Sequence, residues 1–197
     1  MVIISLKGSG DEILFDMVGK IPGAFVHPFP FEVLNYRPAT RPDTFDAKQL
    51  TDALMDLTNC NHGKLLANRT NWSHKYWFDA NPDFHSPYCL VKVRKGALCE
   101  SVKYLDKTCS TSSIQIFRIR LDLYHGLSLG RLLYDPWISE SLRIIYLFRD
   151  PRGIVFERSQ DPNCNSVCRQ AARICSRSKT SLKAAFQFQQ FSPNNFK

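Results

Sequence analysis

The chain has 197 residues, of which 44% are hydrophobic and 22% charged, and it carries a formal net charge of +8. These proportions exclude collagen-like and wholly disordered chains and allow one sizeable core. No run approaches the roughly 20 apolar residues of a membrane-crossing helix, and the positive balance admits anionic partners without choosing among phosphates, sulfates, acidic glycans, nucleic acid or anionic lipid.

In chain order, Val2 to Leu6 reads as a short buried strand. It is followed by the loop Lys7-Gly8-Ser9-Gly10 and by a helix with Ile13, Leu14, Met17 and Val18 on one face. Asp11 and Glu12 fall in the first turn of that helix, where carboxylates suit the dipole. Pro22 and Gly23 close the unit, and the proline-rich, aromatic segment 24–45 is expected to be irregular but packed. Asp46 precedes a helix over 47–58, with Leu50, Ala53, Leu54 and Leu57 at helical spacing. Residues 59–95, with Trp72, Tyr76, Trp77 and Phe78, read as a loop-rich insertion.

A helix is expected over 97–105, a strand over 113–120 and a short helix near 127–134, which leads through Asp135-Pro136 to a strand over 142–148. A further helix starts near Arg152 and another covers about 167–178. The Gln- and Phe-rich residues 179–197 read as a poorly ordered tail after a single domain over 1–178. Alternating strand, loop and helix predicts an α/β fold with a central parallel sheet flanked by helices. Ligands then sit beyond the carboxyl ends of the strands, where both the Lys7 and the Arg149 loops emerge.

There are seven cysteines, at 60, 89, 99, 109, 164, 168 and 175, so at least one thiol lacks a partner within the chain. Cys164 and Cys168 have the wrong spacing for a zinc knuckle and no histidine pair completes a finger, so no metal is expected. Two adjacent glycosylation sequons start at Asn68 and Asn71 and, with the cysteines, favour an oxidising secretory lumen. Val2-Ile3-Ile4 is too short for a signal-peptide core, so the chain reads as cytosolic or as lacking its N-terminal anchor.

The densest chemical signal is IIYLFRDPRGIVFERSQ, residues 144–160. A strand feeding a tight turn and a helix aims backbone N–H groups and the positive helix end at one point. Arg149 adds a planar fork matched to phosphate oxygens, Pro151 fixes the backbone before the helix and Gly153 permits close approach. The plain alternative is a surface salt bridge between Arg149 and Asp150 at a strand end.

The stretch LRIIYLFRDPRGIVFER resembles the 3′-phosphate-binding motif of carbohydrate sulfotransferases, in particular the Golgi galactose, N-acetylglucosamine and N-acetylgalactosamine 6-O-sulfotransferase group. The upstream SIQIFRIRLDLYHGLSLGRLLYDPWISES is similar to that family's preceding strand and helix, and VIISLKGSGDEILFDMVGKIPGAFVHPFPFEVL to its 5′-phosphosulfate loop and following segment. CNSVCRQAARIC resembles its Cys-rich helix, so the similarity spans about residues 2 to 178. It implies a P-loop-like three-layer fold of incomplete sulfotransferase type, a Golgi location, and 3′-phosphoadenosine 5′-phosphosulfate (PAPS) as donor, with no metal. The partner would be a glycan or proteoglycan acceptor, with the membrane reached only through an anchor that this sequence lacks.

By that resemblance Arg149 holds the 3′-phosphate and Arg158 closes the motif. The amides of Gly8, Ser9 and Gly10 hold the 5′-phosphosulfate, with Lys7 beside the departing oxygen. Glu32 takes the proton of the acceptor hydroxyl; its plain alternative is a capping or salt-bridged carboxylate. The pattern departs from the family in three places: Glu157 stands where it has a serine, Asp11 and Glu12 replace two hydroxyl residues of the first loop, and the C-terminal part is shorter. The expectations are therefore a diverged sulfotransferase of doubtful turnover, or an inactive relative that binds anionic glycans or nucleotide. A P-loop hydrolase lacks its Gly-Lys-Ser/Thr after Gly10, and a glycan binder would use Arg118, Arg120, Arg143, Arg149 and Arg152. Nucleic acid is disfavoured because the aromatics do not interleave with basic residues.

Overall fold

The computed structural model describes residues 1–28, 47–66, 77, 80–81, 102–120, 136–162 and 164–195. Strands β1 (Val2–Ser5), β2 (Ala24–His27), β3 (Ile114–Arg120) and β4 (Ile144–Tyr146) form one sheet in the order β2-β3-β1-β4. All three pairings are parallel, with Val2 opposite both Phe117 and Ile144. The helices are α1 (Asp11–Gly19), α2 (Ala47–Thr58), α3 (His62–Leu66), α4 (Val102–Thr111), α5 (Pro136–Ser139), α6 (Pro151–Gln160) and α7 (Ala171–Phe191).

Both faces of the sheet are covered. Val2, Ile4, Phe25, Phe117 and Ile119 pack with Leu54, Leu57, Leu105, Ile154 and Ile174 on one face. Ile3, Val26 and Ile116 pack with Phe15, Leu14 and Val18 of α1 on the other. The period-2 alternation of a strand thus divides β1 between two cores, as expected of a parallel sheet buried on both sides. The α/β architecture read from the sequence is present as a four-stranded parallel sheet flanked by helices. Among the described residues no helix is long and apolar enough to cross a membrane.

Several local expectations are corrected. Segment 24–45 opens with a strand, β2, whose four residues are all buried; a strand with no polar alternation and a proline directly behind it has no period to read. Of the four residues expected on one face of α1, Leu14 and Val18 pack against the sheet, but Ile13 is 70% and Met17 66% exposed, and the buried positions are Asp11 and Phe15. The helix is turned because Asp11 reaches for an arginine on β3, and Phe15, four residues later, follows it inward. Helix α4 extends past the expected end at 105 to Thr111, with 97–101 outside the described residues, and its end is built on hydroxyls: Thr108 donates to the Tyr104 carbonyl (2.8 Å) and Thr111 to that of Lys107 (3.1 Å).

The tail expectation is also overturned. Helix α7 continues to Phe191, with Ile174 and Ser178 buried and Ala185 and Phe188 against the core. A domain boundary at 178 would fall inside it. Beyond the helix, the Asn195 carbonyl accepts from the Ile144 amide (2.6 Å), and the Asn195 side chain donates to the carbonyls of Ser139 (2.5 Å) and Leu142 (2.8 Å). The helix at 127–134, the irregular run from 29 to 45, both sequons and most of the 59–95 insertion lie outside the described residues.

A second asparagine closes the opposite sheet edge. Asn81 accepts from the Val26 amide (2.6 Å) and donates to the Val26 carbonyl (3.0 Å), as a neighbouring strand would, and it also donates to the Trp77 carbonyl (2.7 Å). This satisfies an edge strand that would otherwise invite pairing. Asn81→Ala is expected to cost about 1–3 kcal/mol, because it strands buried backbone groups. Urea unfolding checks this, and a loss below a few tenths of a kcal/mol would show that water replaces the side chain.

Candidate functional site

The chain leaves β1 towards one side of the sheet, and β4 is added on the other, so the order reverses at these neighbours. Such switch points leave a crevice outside the carboxyl ends of the strands. The turns after β1 and β4 therefore open side by side, and the Leu147 amide donating to the Ile4 carbonyl (2.8 Å) keeps them so.

The first turn is Leu6 to Gly10. The Ser9 amide donates to the Leu6 carbonyl (3.0 Å), and Gly8 (φ +90°) and Gly10 (φ +84°) take left-handed conformations that disfavour a side chain. At Gly8 the demand comes from the backbone alone, since a Cβ would stand in ordinary contact, 3.4 Å from Glu157 Cβ and 3.6 Å from Ile154 Cγ2. Gly10 precedes α1 without any side-chain cap of its own. Ser9 is nearly buried, at 8% exposure.

The second turn reaches across to the first. Arg149 donates from Nη1 to the Gly8 carbonyl (2.9 Å), and Arg158 from Nε to the Lys7 carbonyl (2.9 Å) and from Nη1 to the Cys168 carbonyl (3.1 Å). Gly153 is required for this pose, since a Cβ there would stand 2.9 Å from Arg149 Nε. Asp150 caps α6 by accepting from the Arg152 amide (2.9 Å), with Pro151 in the first turn. The Asp150 carboxyl is held down at about 2, chiefly by the hydrogen bonds from Arg152. The salt bridge anticipated for Arg149 and Asp150 is thus made by Arg152 with Asp150, and Arg149 is left to face Gly8.

Five of the sequence-identified residues, Lys7, Gly8, Ser9, Arg149 and Arg158, come together in this crevice, with Gly10 at its α1 side. Arg158 is 5% exposed and ties the first turn to the Cys164–Cys168 disulfide loop, so its place is a brace under the seat. Glu32 lies outside the described residues.

Carboxylates share the same ground. Glu157 Oε2 is 3.6 Å from Arg149 Nη1, and Asp161, which no sequence pattern singled out, pairs with Lys7. At the start of α1, buried Asp11 accepts from Arg118 Nε (2.5 Å), with Arg120 Nε 3.7 Å away, and Glu12 accepts from both arginines (3.0 Å each). The two family-breaking carboxylates therefore come with their own counter-charges from β3. Arg118 and Arg120, candidates for glycan contact, are engaged there instead, and Arg152 is engaged with Asp150.

Two disulfides are formed among the described cysteines, Cys60–Cys109 and Cys164–Cys168, and Cys175 is free and exposed on α7. One cluster escaped sequence reading altogether: His27, His62 and Cys109, all buried, with Asp106 and Trp77 beside them. Its members come from β2, α3 and α4, so no spacing signals it. No protein-family model, curated protein or solved structure matches the chain.

Proposed function

We propose that the chain is a diverged member of the carbohydrate sulfotransferase type, which binds PAPS between the turns after β1 and β4. The supporting observation is the hydrogen bond from Arg149 to the Gly8 carbonyl, which joins two turns 141 residues apart at one switch point. In this reading Arg149 faces the 3′-phosphate and the amides after Lys7 face the 5′-phosphosulfate. A sugar hydroxyl oxygen attacks sulfur in line as the bond from sulfur to the phosphate oxygen breaks, and adenosine 3′,5′-bisphosphate departs. Lys7 offsets charge on that oxygen, and Glu32 takes the hydroxyl proton.

A second reading, a non-catalytic relative that binds the nucleotide or an anionic glycan, is favoured by the pairing of Lys7 with Asp161, which holds by a carboxylate the cation that the transfer step needs at the departing oxygen. Retention on immobilised adenosine 3′,5′-bisphosphate tests the shared premise. Wild type is expected to be retained and Arg149→Ala to elute early, with both eluting alike from heparin. Equal retention of wild type and variant on the nucleotide would remove the seat from the account, and sulfate transfer to a glycan separates the two readings.

A further inference from the structure

We propose that Cys60, Cys109, His62 and His27 form a buried site that holds either a disulfide, as in this structure, or, once that bond is reduced, a zinc-type divalent cation. This inference does not rest on the sulfotransferase reading. One ligand atom each from His27, His62 and Cys109 lies within 4.8 Å of the others, and Cys60 is bonded to Cys109. Tetrahedral zinc holds nitrogen and sulfur ligands about 3.3–3.8 Å apart, so those three atoms must close by about 1 Å while the two sulfurs part from bonding distance. Loss of the S–S bond frees the two cysteine side chains to do so.

The histidines are prepared unequally. His62 Nδ1 sits 2.7 Å from Asp106 Oδ1, so Nδ1–H donates to the carboxylate and the lone pair is left on Nε2. That is the carboxylate–histidine arrangement that orients and strengthens a metal ligand. His62 is fully buried, and its Nε2 has no hydrogen-bond partner, an arrangement that otherwise costs stability. His27 Nε2 is likewise buried and makes no hydrogen bond, with the Gln115 side chain the polar group beside it. His27 Nδ1 accepts from Trp77 Nε1 over a long 3.3 Å, so His27 ligates only after its proton moves to Nδ1 and that contact is given up. His27 is therefore the weaker, fourth ligand. The rings of His27 and His62 stack 5.5 Å apart and Phe117 covers the other face of His27 at 4.2 Å, which excludes water. Gln115 Nε2 donates to Cys60 Sγ (3.3 Å), a contact that favours a thiolate there.

The chemistry balances. A dithiol or phosphine reductant delivers two electrons, the S–S bond breaks, and two protons complete the thiols. Zinc then displaces those protons to solvent and binds two thiolates and two neutral imidazoles. The complex has no net charge, as a buried site requires.

Cobalt titration of the phosphine-reduced chain tests this. The full chain is used, beside a variant with Cys89, Cys99, Cys164, Cys168 and Cys175 changed to serine. One equivalent of cobalt is expected, with thiolate-to-cobalt charge transfer and tetrahedral d–d bands, displaced by zinc and absent from the oxidised chain. Asp106→Asn is expected to weaken binding about 10–100-fold, and His62→Gln to abolish the tetrahedral bands. The Asp106 variant serves if His62→Gln fails to fold by circular dichroism. A reduced chain that takes no cobalt, or one whose bands are unchanged by both substitutions, overturns the site. So does equal binding by the oxidised chain.

Discussion

Arg118→Leu is expected to cost about 3–5 kcal/mol of folding stability, and Asp11→Leu together with Arg118→Leu to recover most of that loss. Asp11 and Arg118 side chains are 3% and 5% exposed, and their hydrogen bond lies between the sheet and α1. Two charges taken out of water gain little net stability from each other, but either one left alone is expensive. Arg120 near Asp11 and Glu12 near Arg118 soften the single losses without removing them, because Glu12 is 71% exposed. The Arg118 guanidinium also lies 5.7 Å from the Phe15 ring centre, so leucine keeps part of the apolar packing while removing the charge. Urea unfolding of both single variants and the double variant gives the cycle. A double variant as unstable as the sum of the singles would show that the pair itself holds α1 on the sheet, against this account.

The same pair bears on the site. A helix N-terminus is a natural seat for an anion, and at α1 that seat begins with Asp11, held from below by Arg118. In the proposed function, a nucleotide approaching Gly8 to Gly10 would meet a helix end already supplied with negative charge, and its binding would depend on the loop amides and on Arg149, which reaches in from the neighbouring turn.

The parallel sheet was legible because β1 and β4 stand as apolar runs before a polar or glycine-bearing turn and β3 alternates Ile114 and Ile116 with Gln115 and Phe117, and α2 because Ala53, Leu54 and Leu57 keep a 3.6-residue period. Where reading failed, the deciding partner was remote. Asp11 is 107 residues from Arg118, so nothing local indicates that a carboxylate and not Ile13 faces the core. Strand β2 was hidden by its composition, since Ala24, Phe25 and Val26 run straight into His27 and a proline. Helix α7 was hidden by composition: the inward residues Ile174, Ser178, Ala185 and Phe188 keep helical spacing, but a serine and an alanine dilute the apolar stripe. In the site, Arg149 was recognisable from its strand–turn–helix setting, whereas the engagement of Lys7 by Asp161 follows from how α6 ends.

Removing two carboxylates should strengthen the seat if a polyanion binds there. Glu157→Ser with Asp161→Asn is expected to bind adenosine 3′,5′-bisphosphate about 100-fold more tightly than wild type, with each change supplying about tenfold. Glu157 lies against Gly8 and 3.6 Å from Arg149, and Asp161 takes up Lys7. At such partly exposed positions one like charge within several ångströms of a phosphate is worth about 1–1.5 kcal/mol, close to tenfold in affinity. Asparagine keeps the shape of Asp161, whose backbone ends α6, and serine at 157 leaves room beside Gly8. Isothermal titration at low and high salt checks both the size and the origin of the effect, since an electrostatic gain shrinks as screening rises. Affinity that is unchanged by the double substitution, or raised equally at all salt concentrations, would place any bound nucleotide elsewhere on the molecule.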